Sequence, residues 1–159
     1  IIRGYAIELH ARASRHAGLL RELLERAARL ESELGPVAIV FGHNDLLPAN
    51  FIDDGKRLWL IDWDYAGFNS PLFDLGGLVS NNELDAAQTR FVMERYFGKA
   101  DANLERRLAA MKCASLLREA MWSMVSEIHS RIQFDYVAYA SDYLARFNRA
   151  YEEFTGDAQ

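Results

Sequence analysis

Cysteine is almost missing from this 159-residue chain. The single thiol, Cys113, cannot form an intramolecular disulfide, which points to a reducing, cytoplasmic compartment. Basic residues are also short: 18 Lys and Arg stand against 23 Asp and Glu, for a net charge of −5. That balance argues against a nucleic-acid groove, because neutralising phosphates takes clustered Lys and Arg. No apolar run approaches the roughly 18 residues of a membrane span, and no signal peptide opens the chain. Proline occurs only three times, and no repeat, low-complexity tract or flexible linker interrupts the sequence. What remains is ordinary globular material, half hydrophobic and 26% charged. A chain of this length buries roughly 70% of its extended surface, enough for a core without staples. One domain over residues 1–159 is expected.

The first third reads as helix. Leu19, Leu20, Leu23, Leu24, Ala27, Leu30 and Leu34 recur at three- and four-residue steps, the mark of one buried helix face. Gly35-Pro36 ends that helix, since proline cannot continue it. Residues before about 14 form a separate helical turn or two, starting without Met as a piece of a longer protein would. The pattern then changes. Ala38-Ile39-Val40-Phe41 is a short buried strand candidate, and Asn50-Phe51-Ile52 and Leu58-Trp59-Leu60-Ile61 are two more. Asp53-Asp54-Gly55-Lys56 reads as the hairpin turn between the last two. After Pro71, helices are predicted near 74–80, 86–97, 103–130 and 135–154. The class is α+β: a mostly helical body with a small β-hairpin insert.

Polar residues crowd that insert. Phe41-Gly42-His43-Asn44-Asp45-Leu46-Leu47-Pro48-Ala49-Asn50 is followed by Leu60-Ile61-Asp62-Trp63-Asp64-Tyr65. Strands hold adjacent loop residues accurately, which is where catalytic groups are usually found. Asp45-x4-Asn50 with Asp62 offers oxygen ligands and no thiolate or histidine cluster, a set that suits a hard cation such as Mg²⁺.

His43-x-Asp45-x4-Asn50 resembles the catalytic loop of protein-kinase-like phosphotransferases. Trp63 after Asp62 resembles the aminoglycoside and choline kinase branch, and within it the choline/ethanolamine kinases. Ile61-Asp62-Trp63-Asp64-Tyr65 with Phe73-Asp74-Leu75-Gly76, and Trp122-Ser123 through Phe134-x-Tyr136-x2-Tyr139-Ala140, extend the likeness from about 37 to 154. The resemblance implies the C-terminal lobe of a kinase with ATP as donor. Asp45 would be the base or orienter of the acceptor hydroxyl, and Asn50 and Asp62 the Mg²⁺ ligands. His43 would brace the loop. Asp74 is either the N-cap of its helix or an anchor for the loop, and Asp64 would face the acceptor.

Tyr136, Tyr139, Tyr143, Phe147 and Tyr151 recur at helical spacing, which serves a core as readily as a site. The resemblance implies that Trp122 and Tyr139, with Phe134 and Tyr136, line a pocket for a cationic alcohol, since aromatic faces attract quaternary ammonium. Choline kinases of eukaryotes generally have a further Trp where this chain has Glu119, whose carboxylate would instead meet a primary ammonium. His10, His16 and His129 read as ordinary packing, and Cys113 as an inert small hydrophobe. A kinase of this type also needs a Gly-rich loop and a strand Lys, and neither is in the sequence. The expectation is that an N-terminal lobe of the same protein precedes Ile1 and that this lobe alone is inactive. An aminoglycoside-type kinase and a non-catalytic scaffold are the rival readings.

Overall fold

The computed structural model describes residues 1–156. Six helices and four short strands follow one another as α1 (Ile2–Ala11), α2 (Leu20–Leu34), β1 (Val40–Gly42), β2 (Phe51–Asp53), β3 (Leu58–Leu60), β4 (Gly67–Asn69), α3 (Pro71–Asn81), α4 (Ala86–Phe97), α5 (Ala102–His129) and α6 (Tyr136–Thr155). The α+β, mostly helical class is as expected, and the chain falls into two compact units. One is Ile1–Glu33 together with the chain from Cys113 onward; the other is Leu34–Lys112. None of the described helices is long and apolar enough to cross a membrane.

In the first unit α2 buries Leu20, Leu23 and Leu30, the middle of its leucine stripe, while Leu19 at its edge is exposed. From α6, Tyr143, Phe147, Tyr151 and Phe154 are buried. Arg26 of α2 stacks over the Tyr151 ring at 5.0 Å and donates to the Asn148 side chain at 2.8 Å, fixing α2 against α6. The histidines do more than pack. His16 hydrogen-bonds Glu127 at 3.1 Å and His129 hydrogen-bonds Glu8 at 2.8 Å, so polar contacts as well as shape join the N-terminal segment to α5. Between residues 115 and 121 α5 is buried on every side, as a helix through the middle of a core must be.

In the second unit α3 starts at Ser70-Pro71. The Ser70 hydroxyl accepts from Leu72 N–H, and Pro71 occupies the first turn, where a missing N–H costs nothing. Asp74 is therefore not the N-cap the sequence allowed; it lies within the first turn. α4 opens on a capping box made by Asp85 and Gln88. Gly76 lets α3 lie against α5: a Cβ there would come 2.9 Å from the backbone of Met111 and Lys112.

The β material forms two ribbons. β2 and β3 make the expected hairpin, pairing Phe51 with Leu60, and Gly55 at its turn has φ +78°. Asp54 ties the turn by accepting from Lys56 N–H, Arg57 N–H and the Trp59 indole. β1 pairs with β4, a strand the sequence did not announce, in the register Val40 to Asn69 and Gly42 to Gly67. β1 is also not the buried strand expected: Ile39 and Phe41 are exposed, and Phe41 meets Phe68 across the ribbon edge-to-face.

Candidate functional site

The polar segment is the link between the two ribbons, and its shape comes from hydrogen bonds at nearly every residue. Asp74 supplies the base of it. Its carboxylate accepts from His43 N–H at 2.8 Å and Asn44 N–H at 2.6 Å. Charge-assisted bonds of this kind are about twice as strong as neutral ones. Gly42 makes room for them, because a Cβ at that position would fall 2.5 Å from Asp74 Oδ2. Asp74 thus clamps the backbone immediately before Asp45.

His43 is buried, and its Nε2 donates to the Ile61 carbonyl at 2.8 Å. Nδ1 is buried too and has no hydrogen-bond partner among the described residues. The ring packs edge-on against Trp63 with centroids 4.7 Å apart. Ile61 N–H in turn donates to the Asn50 carbonyl at 3.0 Å. One peptide segment, that of Ile61, therefore connects His43, Asn50 and the residue that follows it, Asp62.

Pro48–Asn50 form a single 3₁₀ turn that folds Asn50 back on Asp45. The Asn50 amide donates to the Asp45 carbonyl at 2.8 Å and to Asp45 Oδ2 at 3.2 Å. With its nitrogen committed to Asp45, Asn50 has its amide oxygen as the atom suited to a cation. Asp62 is exposed and holds φ +59°, a left-handed conformation that non-glycine residues adopt at a cost and that clusters at functional sites. Asp64 is exposed two residues on.

Two oxygen donors fit Mg²⁺, which is commonly held by one or two carboxylates together with substrate phosphates and water. Among the described residues no cluster of three or more His, Cys, Asp or Glu side chains could hold a metal.

Sequence reasoning passed over three asparagines. Asn44 donates to the Tyr65 and Gly67 carbonyls, Asn69 donates to Asn44 Oδ1, and Asn82 donates to the Leu46 carbonyl. Asn44 also has a left-handed backbone, φ +64°. Asparagine is among the few non-glycine residues that tolerate it, and that was the available signal.

The remaining candidates lie in the first unit, on α5, α6 and the turn between them. Trp122, Tyr136, Phe134 and Tyr139 form a closed circuit of edge-to-face ring contacts, with neighbouring centroids 5.0–6.1 Å apart. Ser123 donates to the Tyr136 carbonyl at 2.7 Å and fixes the start of α6 against α5. Phe134 is 52% exposed, and the other three rings are half-buried. Beneath them Tyr139 stacks on Tyr143 with centroids 4.5 Å apart, and its hydroxyl donates to Glu119 Oε2 at 3.3 Å. Burial, then the bond with Tyr143 and the charge of Glu119, holds the Tyr139 phenol well above its ordinary pKa, so it stays protonated. Glu119 is itself buried and ion-paired with buried Arg118. Its carboxylate is already matched by a cation of this chain.

A family model described as the phosphotransferase enzyme family (APH) matches residues 3–111. Protein LicA of Haemophilus influenzae is 31% identical over 101 residues, covering 59% of this chain and 30% of that protein. Ethanolamine kinase 2 of Mus musculus is 30% identical over 151 residues, covering 82% of this chain and 37% of that protein. A solved choline/ethanolamine kinase family protein from Mesorhizobium loti superposes with a TM-score of 0.77 at 31% identity, over 85% of this chain and 48% of that one. The chain thus spans about a third of the length of these curated relatives and about half of the solved chain. The fold expected from the loop motif, that of a protein-kinase-like lobe, is the one found. A clamped loop that carries Asp45, turned by Asn50 and tied to Asp62, lies within the matched residues, and the chain belongs to the phosphotransferase enzyme family.

Proposed function

We propose that residues 1–159 are the C-terminal lobe of an ATP-dependent kinase acting on the hydroxyl of a small amino alcohol, choline or ethanolamine. The observation that carries this is the Asn50 amide bound to Asp45, with Asn50 joined through Ile61 to Asp62. In this reading Asp45 orients the acceptor hydroxyl and takes its proton, while Asn50 and Asp62 are the metal ligands. Mg²⁺ held there supplies the screening of phosphate charge that phosphoryl transfer requires. His43 and Asp74 hold the loop. The protein's task is chiefly positioning and electrostatics.

Trp122, Phe134, Tyr136 and Tyr139 take the ammonium end of the acceptor, aromatic faces being attractive to a desolvated cation by up to about 2 kcal/mol. Asp64, exposed beside Asp62, is a further carboxylate offered to a cationic acceptor. Glu119 serves this pocket through Tyr139, whose hydroxyl it holds, and a primary ammonium approaching it competes with Arg118. An N-terminal lobe of the same protein completes the nucleotide site. The buried lone thiol of Cys113 supports the cytoplasm as the compartment.

The test uses the full-length protein with Mg-ATP and three acceptors, namely choline, ethanolamine and an aminoglycoside, with ADP release as the readout. Turnover of choline or ethanolamine with little of the aminoglycoside is expected. Turnover of the aminoglycoside alone overturns the acceptor assignment, and turnover of none favours a scaffold.

A further inference from the structure

Asp62 begins an exposed loop that returns to the sheet at Gly67, and its own bonds are local: Ala66 N–H donates to the Trp63 carbonyl at 2.9 Å and the Trp63 indole to the Leu60 carbonyl at 3.1 Å. Before Asp62, the path is set by His43, which holds the Ile61 carbonyl. After it, the Trp63 ring packs on His43, and one side chain ties the far end of the loop. Asn44 Nδ2 donates to the Tyr65 carbonyl at 3.1 Å and the Gly67 carbonyl at 3.2 Å, and Asn44 Oδ1 accepts from Asn69 at 3.1 Å. The backbone N–H of the same residue is anchored on Asp74. Asn44 also adjoins Asp45 in sequence, so a single residue bridges the loop of the base to the loop of the metal ligand. We propose that Asn44 is a positioning residue that fixes the Asp62 loop relative to Asp45.

The chemistry of the amide explains why this residue type is needed. Two carbonyls require two N–H donors, and the neighbouring Asn69 offers a donor that requires an acceptor; a carboxamide has both. Its side chain reaches these groups because the backbone is left-handed at φ +64°, a conformation asparagine tolerates. Aspartate has the same size and tolerance but no donor, and would turn a carboxylate toward two carbonyl oxygens. Glycine accepts the backbone and removes all three ties. Reacting groups displaced by about 1 Å can lose a hundredfold in rate, so the ties matter to turnover more than to folding.

This inference rests on the kinase reading, and the test separates the two. In the full-length protein, Asn44→Gly should lower kcat at least about tenfold, with KM for ATP and acceptor within about twofold and the melting temperature within a few degrees. Amide hydrogen exchange across residues 62–69 should rise about tenfold while that of α4 stays the same. Asn44→Asp should be the less active of the two variants, the reverse of what an isosteric change would give if the residue only filled space. Asn69→Ala, which removes one tie, should shift both readouts the same way by less, and it carries the test if the position 44 variants fail to fold. Wild-type kcat and wild-type exchange in Asn44→Gly would overturn the proposal, as would an Asn44→Asp enzyme more active than Asn44→Gly. A wild-type protein inactive on every acceptor overturns the kinase reading instead, and the exchange measurement still decides whether Asn44 holds the loop.

Discussion

Gly42 and Asp74 are fitted to each other: the space a Cβ would take on residue 42 is filled by the Asp74 carboxylate, whose Oδ2 lies 2.5 Å from that point. The same oxygen accepts His43 N–H. Gly42→Ala should therefore expel Asp74 and lose the clamp, costing about 2–3 kcal/mol in urea unfolding, the range for removing a hydrogen-bonded charged partner. In an Asp74→Ala background, where the space is vacant, Gly42→Ala should cost about 0.5 kcal/mol or less. Additive effects in that cycle would contradict the fit.

With Asp45 as the base proposed above, Asp45→Asn in the full-length protein should lower kcat by at least about a hundredfold, the worth of a positioned base, and leave KM for ATP within about twofold. The Asn50–Asp45 contact can survive the change through an amide oxygen, so melting should shift by no more than a few degrees. Near wild-type kcat in this variant would remove Asp45 from the chemistry.

Arg118 and Glu119 form an ion pair with side-chain exposures of 9% and 5%. Arg118→Met leaves a buried carboxylate and Glu119→Leu a buried guanidinium, and each should cost about 3–5 kcal/mol. The double variant should recover most of that loss. A loss in the double variant equal to the sum of the two single losses would show that the two charges act independently.

Acid stability should follow carboxylates whose partners favour the ionised form. For Glu127, burial is the largest single influence and raises the pKa, but hydrogen bonds and charge from His16 and Arg15 together outweigh it and bring the group below its ordinary value of 4.5. Asp54 is held low by the Trp59 indole and the Lys56 and Arg57 amides. A carboxylate depressed in the folded state stabilises it above the unfolded pKa and loses that contribution as pH falls through the folded one. Melting temperature should thus drop as pH falls below about 4.5. Glu127→Gln should melt lower at neutral pH and show a shallower acid slope, and an unchanged slope would exclude Glu127 from it.

The elements readable from sequence were those whose ends are marked by local chemistry. α4 falls on 86–97 as expected because a capping box opens it and Gly98 closes it with a left-handed residue. β4 was missed because Gly67-Phe68-Asn69 carries no alternation and becomes a strand only through pairing with β1. Asp74 illustrates a local signal that misleads. An acidic residue near a helix start suggests a cap, yet Ser70 takes that place and Asp74 serves the loop 30 residues earlier in the chain. His43, Asp45, Asn50 and Asp62 were visible through their spacing, whereas Asn44 was hidden because its partners are two backbone carbonyls that any residue can supply and the distant Asn69 amide. The hydrogen bonds of His16 and His129 were equally invisible, joining residues more than a hundred positions apart.

The left-handed backbones at Asn44 and Asp62 also restrict how this site can drift over evolutionary time. Glycine, asparagine and aspartate enter that conformation at low cost, and β-branched or bulky residues do not. Each position therefore favours a short alphabet before any chemical demand is imposed, though Ala13 and Glu83 take the same conformation at φ +48° and +52°. In the kinase reading the need for an anionic oxygen at 62 narrows that choice to aspartate, while at 44 glycine remains open to any lineage that ties its loop by other means. Substitutions at 44 should be accompanied by compensating changes at 69 and in the 65–67 turn, so this region should vary as a block. Ile61, whose side chain is exposed and whose contribution is its peptide group, should vary freely beside it.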